Sequence, residues 1–343
     1  MTIENPDNRG TLRARLALLY AGALLVLLLA PCAGRPFIGW NILFADPAVD
    51  PAVVVDREVF LGIRLTRALA AALAGGALAA GGVAFQALFR NPLTEPYVLG
   101  VSAGASAGIA VAVVAGGAAG LAAPWLPGPT LGGFIGALAA IGAVCAVSRM
   151  RGGIETSTLL LAGVALSFFF SSLVMLAQYL ASPLDAARLT HALMGRVDRA
   201  ELSGLRQAAP LALAGAAAVL FSPRELDLLS CGEEFARARG VDVRRARRRL
   251  FLGVSLMTAA VTALCGPIGF VGLMIPHGVR RMFGPGHRVA TPAAMAAGAA
   301  FLAGADALGR WAAAPREVPV GLTTALLGGP FFLWLLVAGR REE

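Results

Sequence analysis

Residues Ile63–Leu88 read IRLTRALAAALAGGALAAGGVAFQAL, and this run decides the class of fold. About 20 apolar residues are enough to carry an α-helix across a bilayer core. Arg64 and Arg67 stand at the head of the run, and no charge interrupts it afterwards. Its side chains are mostly small, which lets neighbouring helices approach closely in a membrane. The segment therefore predicts a spanning helix with charge at one end.

Working outward, the same pattern recurs along the whole chain. Of its 343 residues, 57% are hydrophobic and 14% charged, and the mean hydropathy is +0.74. A soluble domain carries about 25% charged residues, so a bilayer must solvate much of this one. Further apolar segments lie at Leu16–Ala30, Val98–Ala115, Trp125–Val147, Ile154–Leu180 and Leu205–Phe221. Others follow at Leu250–Cys265, Val289–Ala314 and Val320–Val337, with a shorter one between Gly269 and Met282. The expectation is an all-α polytopic bundle of about ten spanning helices, forming one membrane domain over residues 1–343. Arg13 and Arg15 before Leu16–Ala30 also admit a signal peptide, and Leu29-Ala30-Pro31-Cys32 resembles a lipoprotein cleavage box. Pro31 beside the cleavage point, and the many spans that follow, favour an uncleaved first helix. The proline-interrupted stretch Cys32–Glu58 is expected to be a loop outside the membrane.

Arginine placement orients the bundle. Arg13 and Arg15, Arg90, Arg149 and Arg151, the Arg237–Arg249 cluster, Arg280, Arg281 and Arg288, and Arg340 and Arg341 share one side if ten spans are counted. The positive-inside rule makes that side cytoplasmic, with both termini inside. Arg64 and Arg67, then Arg188, Arg196 and Arg199, and Arg310 with Arg316 fall on the outer side. Either they serve a purpose there or they snorkel at helix ends.

The composition also excludes several function classes. All 29 basic residues are arginine, so no lysine is available for a Walker A loop and ATP hydrolysis would need a separate subunit. The net charge of +9 does not point to nucleic acid. Its densest run, Arg244–Arg249, abuts the apolar Leu250–Leu264, as membrane anchoring requires. Cys32, Cys145, Cys231 and Cys265 are scattered, and His191, His277 and His287 lack metal-ligand spacing. No catalytic residue, metal site or cofactor is expected.

Gly100, Gly104 and Gly108, with Ser102 and Ser106 between them, make a smooth face for helix packing, and Gly128, Gly132 and Gly136 repeat the spacing. Arg90-Asn91-Pro92-Leu93 and Glu95-Pro96 force the chain to turn. The segment Ser222–Arg249 is the longest charged stretch, broken by Gly232 and Gly240. Two short amphipathic helices fit it, either as a docking element for a cytoplasmic ATPase or as an ordinary solvated loop. Asp306 and Arg310 share a helix face at four-residue spacing, as a functional intramembrane charge or a structural pair. Gln86 and Gln178 suit bonds between helices.

Together these motifs resemble the FecCD-type permeases of bacterial type II ABC importers, which carry ferric siderophores, haem or cobalamin. The similarity covers about Arg64 to Leu336. Its pieces are Arg64-Leu-Thr-Arg67, Gly81-Gly-Val-Ala-Phe-Gln86, Arg90-Asn-Pro-Leu93, Pro96 and Leu99-Gly-Val-Ser-Ala-Gly104. They continue with Gly232-Glu-Glu-Phe-Ala236, Arg239-Gly-Val241 and Gly266-Pro-Ile-Gly-Phe-Val-Gly-Leu-Met-Ile-Pro-His277 with Arg280. The last are Asp306, Arg310, Val318-Pro-Val-Gly321, Thr324 and Gly328-Gly-Pro-Phe331.

The resemblance implies a homodimer in the bacterial inner membrane, a cytoplasmic ABC ATPase, a periplasmic substrate-binding protein and a metal-chelate substrate. It implies that Arg64, Arg67 and Arg310 face the acidic lobes of the binding protein. It likewise implies that Gly232, Glu233, Glu234, Arg239, Gly240 and Val241, within residues 222–249, couple to the ATPase. Two positions depart from the pattern: the family's Arg-x-Pro-Arg has Thr66 for proline, and Ala192 stands where a tryptophan often precedes Leu193-Met-Gly-Arg196. An ion-driven secondary transporter is the rival reading, with Asp306 as its main candidate for the coupling acid.

Overall fold

The computed structural model describes residues 6–34, 36–46, 52–118, 128–150, 156–198, 200–312 and 317–339. Helix α1, Pro6–Leu29, ends in a 3-10 turn, Ala30–Cys32. Beyond a second such turn at Trp40–Leu43, α2 covers Ala52–Glu58. It continues through a π-helical turn, Val59–Leu65, into α3, Thr66–Phe89. The helical backbone is thus unbroken from Ala52 to Phe89, and the later part of Cys32–Glu58 is helix rather than loop. The physical reason lies in the sequence after Pro51, which carries no breaker. Thr66, in place of a proline, keeps αR angles and lets the helix run through the two arginines.

At its other end α3 closes on Arg90, a non-glycine residue at φ 48, and the Asn91 N–H returns to the Gln86 carbonyl at 3.2 Å. Pro92 follows and prevents continuation. A 3-10 turn at Pro96–Leu99 then leads into α4, Val101–Ala118, which packs along α5, Pro129–Met150. Next come α6, Thr156–Leu180, the short α7, Pro183–Ala192, and α8, Leu202–Leu220. Two short helices, α9, Pro223–Ser230, and α10, Glu233–Ala238, precede α11, Val243–Cys265. The chain ends with α12, Val271–Phe283, α13, His287–Ala312, and α14, Val320–Gly339.

All of the expected apolar segments are occupied by helices. Among the described residues, six helices are long and apolar enough to cross a membrane on those grounds alone. A seventh qualifies if α8 and α9, bent by 60°, are taken together. The starts of the expected spans at Trp125 and Ile154, the end of the one at Ala314, and Arg151, Arg316, Arg340 and Arg341 lie outside the described residues.

The bundle is built around α3, buried along nearly its whole length against α13, α11, α12 and α8. Its glycines explain the closeness: a Cβ on Gly75 would overlap the Gly298 carbonyl of α13, and one on Gly82 would overlap the Gly272 carbonyl of α12. Lipid is as apolar as leucine, so it is this backbone-to-backbone packing that holds such helices together. Several of the large buried side chains, Leu78, Phe85, Leu250, Phe251 and Met257, belong to α3 and α11, where the Phe85 and Phe251 rings stack at 6.3 Å. By contrast, Phe168, Phe169, Met175 and Tyr179 of α6 are exposed, as are Leu326, Leu333 and Trp334 of α14.

Candidate functional site

Two charged regions stand at opposite ends of α13. At one end the widened π turn before α3 carries Arg64, and Arg67 follows in the first turn of α3. Asp306 of α13 is 1% exposed, and its carboxylate accepts from Arg67 Nε at 2.9 Å and from Nη2 at 2.8 Å. Arg310, one turn further along α13, places its Nε 3.3 Å from the same carboxylate. Arg67 Nη1 also donates to Glu317 at 2.6 Å, whose side chain is 45% exposed. Arg310 donates to the carbonyls of Ala30 at 2.7 Å and Ala33 at 2.8 Å, and Arg64 donates to that of Pro36 at 2.7 Å. These arginines thus satisfy acceptors that the end of α1 would otherwise leave open.

All three arginines expected to face a docking partner are buried, and each donates to groups of its own chain. Five charges meet here, and Arg64 is the arginine with no carboxylate within ion-pair distance among the described residues. These five groups sum to one positive charge, and the Asp56 carboxylate of α2 also acts on Arg64 through space. Asp306 is clamped between Arg67 and Arg310, so the secondary-transport reading loses its free carboxylate.

The outer loop expected around His191 is helix α7, capped by Ser182, whose Oγ accepts from the Asp185 N–H at 3.2 Å. Arg188 pairs with Asp185 at 3.2 Å, and Arg196 holds Asp198 through Nε at 2.8 Å and Nη2 at 2.5 Å. Burial pushes the Asp198 carboxyl up, but the hydrogen bond and charge of Arg196 outweigh it and hold the group below the usual carboxylate range. These two arginines are neutralised in place, and Arg199 lies outside the described residues.

At the opposite end of α13 stand α9 and α10, separated by Gly232, which lies at φ +123 in a region that side chains rarely enter. Gly240 follows α10 at φ +80, and Asp242 caps α11 by accepting from the Arg245 N–H at 3.0 Å. Two amphipathic helices broken by glycine are therefore what the segment forms. Glu233 turns inward, bonding Arg237 at 3.1 Å and pairing with Arg247. Glu234 and Phe235 point outward, and the Arg239 guanidinium lies 5.2 Å over the Phe235 ring. Val241 packs partly against the core.

Three further residues tie elements together in ways the sequence did not assign. Asp227 of α9 accepts from the His287 backbone N–H at 2.9 Å and sits 2.6 Å from its Nδ1, tying α9 to the start of α13. Glu95 and Tyr97 reach from the α3–α4 connection to the loop between α11 and α12. Glu95 accepts from the Phe270 N–H at 3.1 Å, and Tyr97 Oη accepts from that of Ile268. Burial raises the Glu95 carboxyl, and the Phe270 N–H partly offsets it. The only sequence signal for these three was a polar residue beside an apolar run.

The glycine series divides. Gly104 and Gly108 lie against Gly136 and Gly132, with a Cβ on Gly104 falling 2.6 Å from the Gly136 carbonyl oxygen. Gly100 instead takes φ +75 at the start of α4 and approaches Gly163 of α6, and Gly128 faces open space. Gln86 bridges α3 to α12, donating to the Gly272 carbonyl at 3.1 Å and accepting from Arg280.

Residues 18–338 match the FecCD transport family. The hemin transport system permease of Yersinia pestis is 38% identical over 293 residues, covering 83% of this chain and 85% of that one. The cobalamin import system permease of Halobacterium salinarum is 38% identical over 304 residues, covering 88% and 80%. The vitamin B12 import system permease of Shigella boydii is 37% identical over 345 residues, covering 99% and 100%. Among solved structures, one described as an inward-facing, metal-chelate type ABC transporter superposes with a TM-score of 0.81 at 29% identity, covering 95% of this chain and 99% of that one.

Proposed function

This chain belongs to the FecCD transport family, and from that premise we propose how its permease function is divided among partners. The chain is the membrane-spanning permease subunit of an ABC importer. A second copy completes the path, and the cargo is a metal chelate of the haem, cobalamin or ferric-siderophore class. A cytoplasmic ATPase supplies the energy, and a periplasmic substrate-binding protein delivers the cargo at the outer face of the bacterial inner membrane. Both termini lie in the cytoplasm.

The observation that carries the energy-coupling part is the glycine-separated pair α9–α10. It ends in exposed Glu234, Phe235 and Arg239 on a chain that has no lysine for a nucleotide-binding loop. Such a pair suits insertion into a groove on a partner, and ATP on that partner shifts the permease by binding its two states unequally. Glu234→Arg combined with Arg239→Glu tests this without touching the internal Glu233 contacts. The expected result is normal membrane insertion, weakened co-purification with the ATPase subunit and reduced chelate-stimulated ATP hydrolysis. Unchanged co-purification and coupling would remove α9–α10 from the interface. Uptake of each chelate by a deletion strain complemented with this chain assigns the cargo.

Docking of the binding protein is proposed at the outer cluster, with an amended role for its arginines. Arg64, Arg67 and Arg310 supply positive charge and brace the end of α1, and Glu317 is the accessible member. Complementary charge of this kind speeds encounter and fixes register.

A further inference from the structure

A groove between α9 and the start of α13 adjoins the coupling face through Arg239, and its other two arginines, Arg224 and Arg288, have no role above. It encloses about 610 Å3 and is lined by Arg224, Arg239 and Arg288 together with the apolar Leu220, Phe221 and Leu228. That volume is in the range of small-ligand pockets, roughly 300–1,000 Å3. Its one carboxylate, Asp227, is already engaged by His287.

The positive charge in this groove exceeds the negative, with three guanidinium groups against the single carboxylate of Asp227. Arg288 has neither a hydrogen bond nor an ion pair among the described residues. Arg224 makes one long contact, 3.5 Å, to the Arg239 carbonyl. On the other flank of Arg224 a smaller groove of about 180 Å3 is also lined by arginines. There the charge is matched: Arg249 pairs with Glu225 at 2.8 Å and Arg245 with Asp242 at 3.7 Å. The larger groove alone combines free guanidinium groups with an apolar wall. Phe221, which ends α8, is 83% exposed beside it.

We propose that the groove holds an anionic phospholipid of the cytoplasmic leaflet, with its headgroup phosphate on Arg224 and Arg288 and its chains against Phe221 and Leu220. Guanidinium groups bind phosphate through paired charge-assisted hydrogen bonds. Basic pockets at the cytoplasmic ends of membrane helices take anionic headgroups in this way. The competing occupant is an acidic side chain of the ATPase subunit, but a carboxylate makes no use of the apolar wall. The assignment rests on the orientation given above, which puts α9 and the start of α13 on the cytoplasmic side.

The full chain, purified in detergent with and without its ATPase subunit and stripped of lipid, is titrated with phosphatidylglycerol or phosphatidylcholine, and bound lipid is counted by native mass spectrometry. Phosphatidylglycerol is expected to be retained in preference to phosphatidylcholine. Arg224→Ala with Arg288→Ala should lower its retention about 30-fold. Arg224→Lys with Arg288→Lys should keep most of it, with the melting temperature of both variants unchanged. Equal retention by the double-alanine variant, or no preference between the two lipids, would overturn the proposal. Displacement of the lipid by inorganic phosphate would also overturn it, since the anion would then bind without its chains. Loss of the ATPase subunit from the double-alanine variant with lipid retention intact would assign the groove to that partner instead. The titration of the permease alone needs neither transport nor coupling, so failure here and failure of the importer reading are read separately.

Discussion

Asp306 is the residue on which the most structure depends. Its buried carboxylate is the counter-charge of Arg67 and lies 3.3 Å from Arg310, across a sequence separation no local rule could bridge. Removing one partner of a buried pair leaves an uncompensated charge and costs about 3–5 kcal/mol. Asp306→Ala is therefore expected to lower the thermal melting point of the detergent-purified chain sharply, and Asp306→Asn less so because the amide oxygen still accepts hydrogen bonds. Equal melting points for wild type and Asp306→Ala would contradict the clamp. Arg64 offers a gentler probe, because its contacts are to carbonyls. Arg64→Gln should weaken capture of the binding protein at low ionic strength, with a smaller difference at high salt, where the Debye length contracts. Surface plasmon resonance across a salt series measures this, and a salt-independent loss would point to shape rather than charge.

For an element, the decisive property is how near its backbone comes to the next one. The four-residue glycine spacing of α4 was legible in the sequence, but its counterpart on α5 could be paired with it only in three dimensions. The same spacing did not distinguish Gly100, which serves a left-handed turn, from Gly104 and Gly108, which serve a helix contact. Gly108→Leu would drive a side chain into the Gly132 carbonyl. Overpacking of this kind costs about 1–3 kcal/mol or more. A Cβ on Gly116 meets nothing within 4 Å, so Gly116→Leu serves as the control on the same helix. Melting curves of the two variants should separate, and coincident curves would mean that α4 and α5 can part without penalty. The boundary of α3 was less legible. An arginine pair at the head of an apolar run reads as a helix start, whereas the helix begins at Ala52, because nothing between Pro51 and Arg64 breaks it.

Across the whole molecule, α3 and α13 both reach the two charged regions, and α13 is tied to each by a side-chain carboxylate contact. From His287, bound to Asp227 of α9, to Asp306, clamped by Arg67, it spans roughly 30 Å at 1.5 Å per residue. A rigid helix held at both ends can carry displacement between an energy-supplying partner and a docking partner. Asp227→Ala frees the lower tie while leaving Glu234, Phe235 and Arg239 in place. Co-purification with the ATPase subunit should persist, while stimulation of ATP hydrolysis by the loaded binding protein should fall. Full stimulation in reconstituted vesicles would show that α13 is not the link.

The sequence by itself determined the solvent, the helical class, the positions of the apolar helices and the glycine-broken pair α9–α10. Each of these follows from local periodicity, composition or a backbone breaker, and none needs a distant partner. It also excluded a lysine-bearing Walker A loop from this chain, because a missing residue type is missing in any fold. Tertiary structure decided what the charges do. Arg64, Arg67 and Arg310 read as a free outer surface along the chain, yet each is buried against groups far away in sequence, and Arg224 and Arg288 came together in one groove only when two helix starts packed side by side. Charge interactions act through space at a few ångströms, so they are set only once the helices have packed.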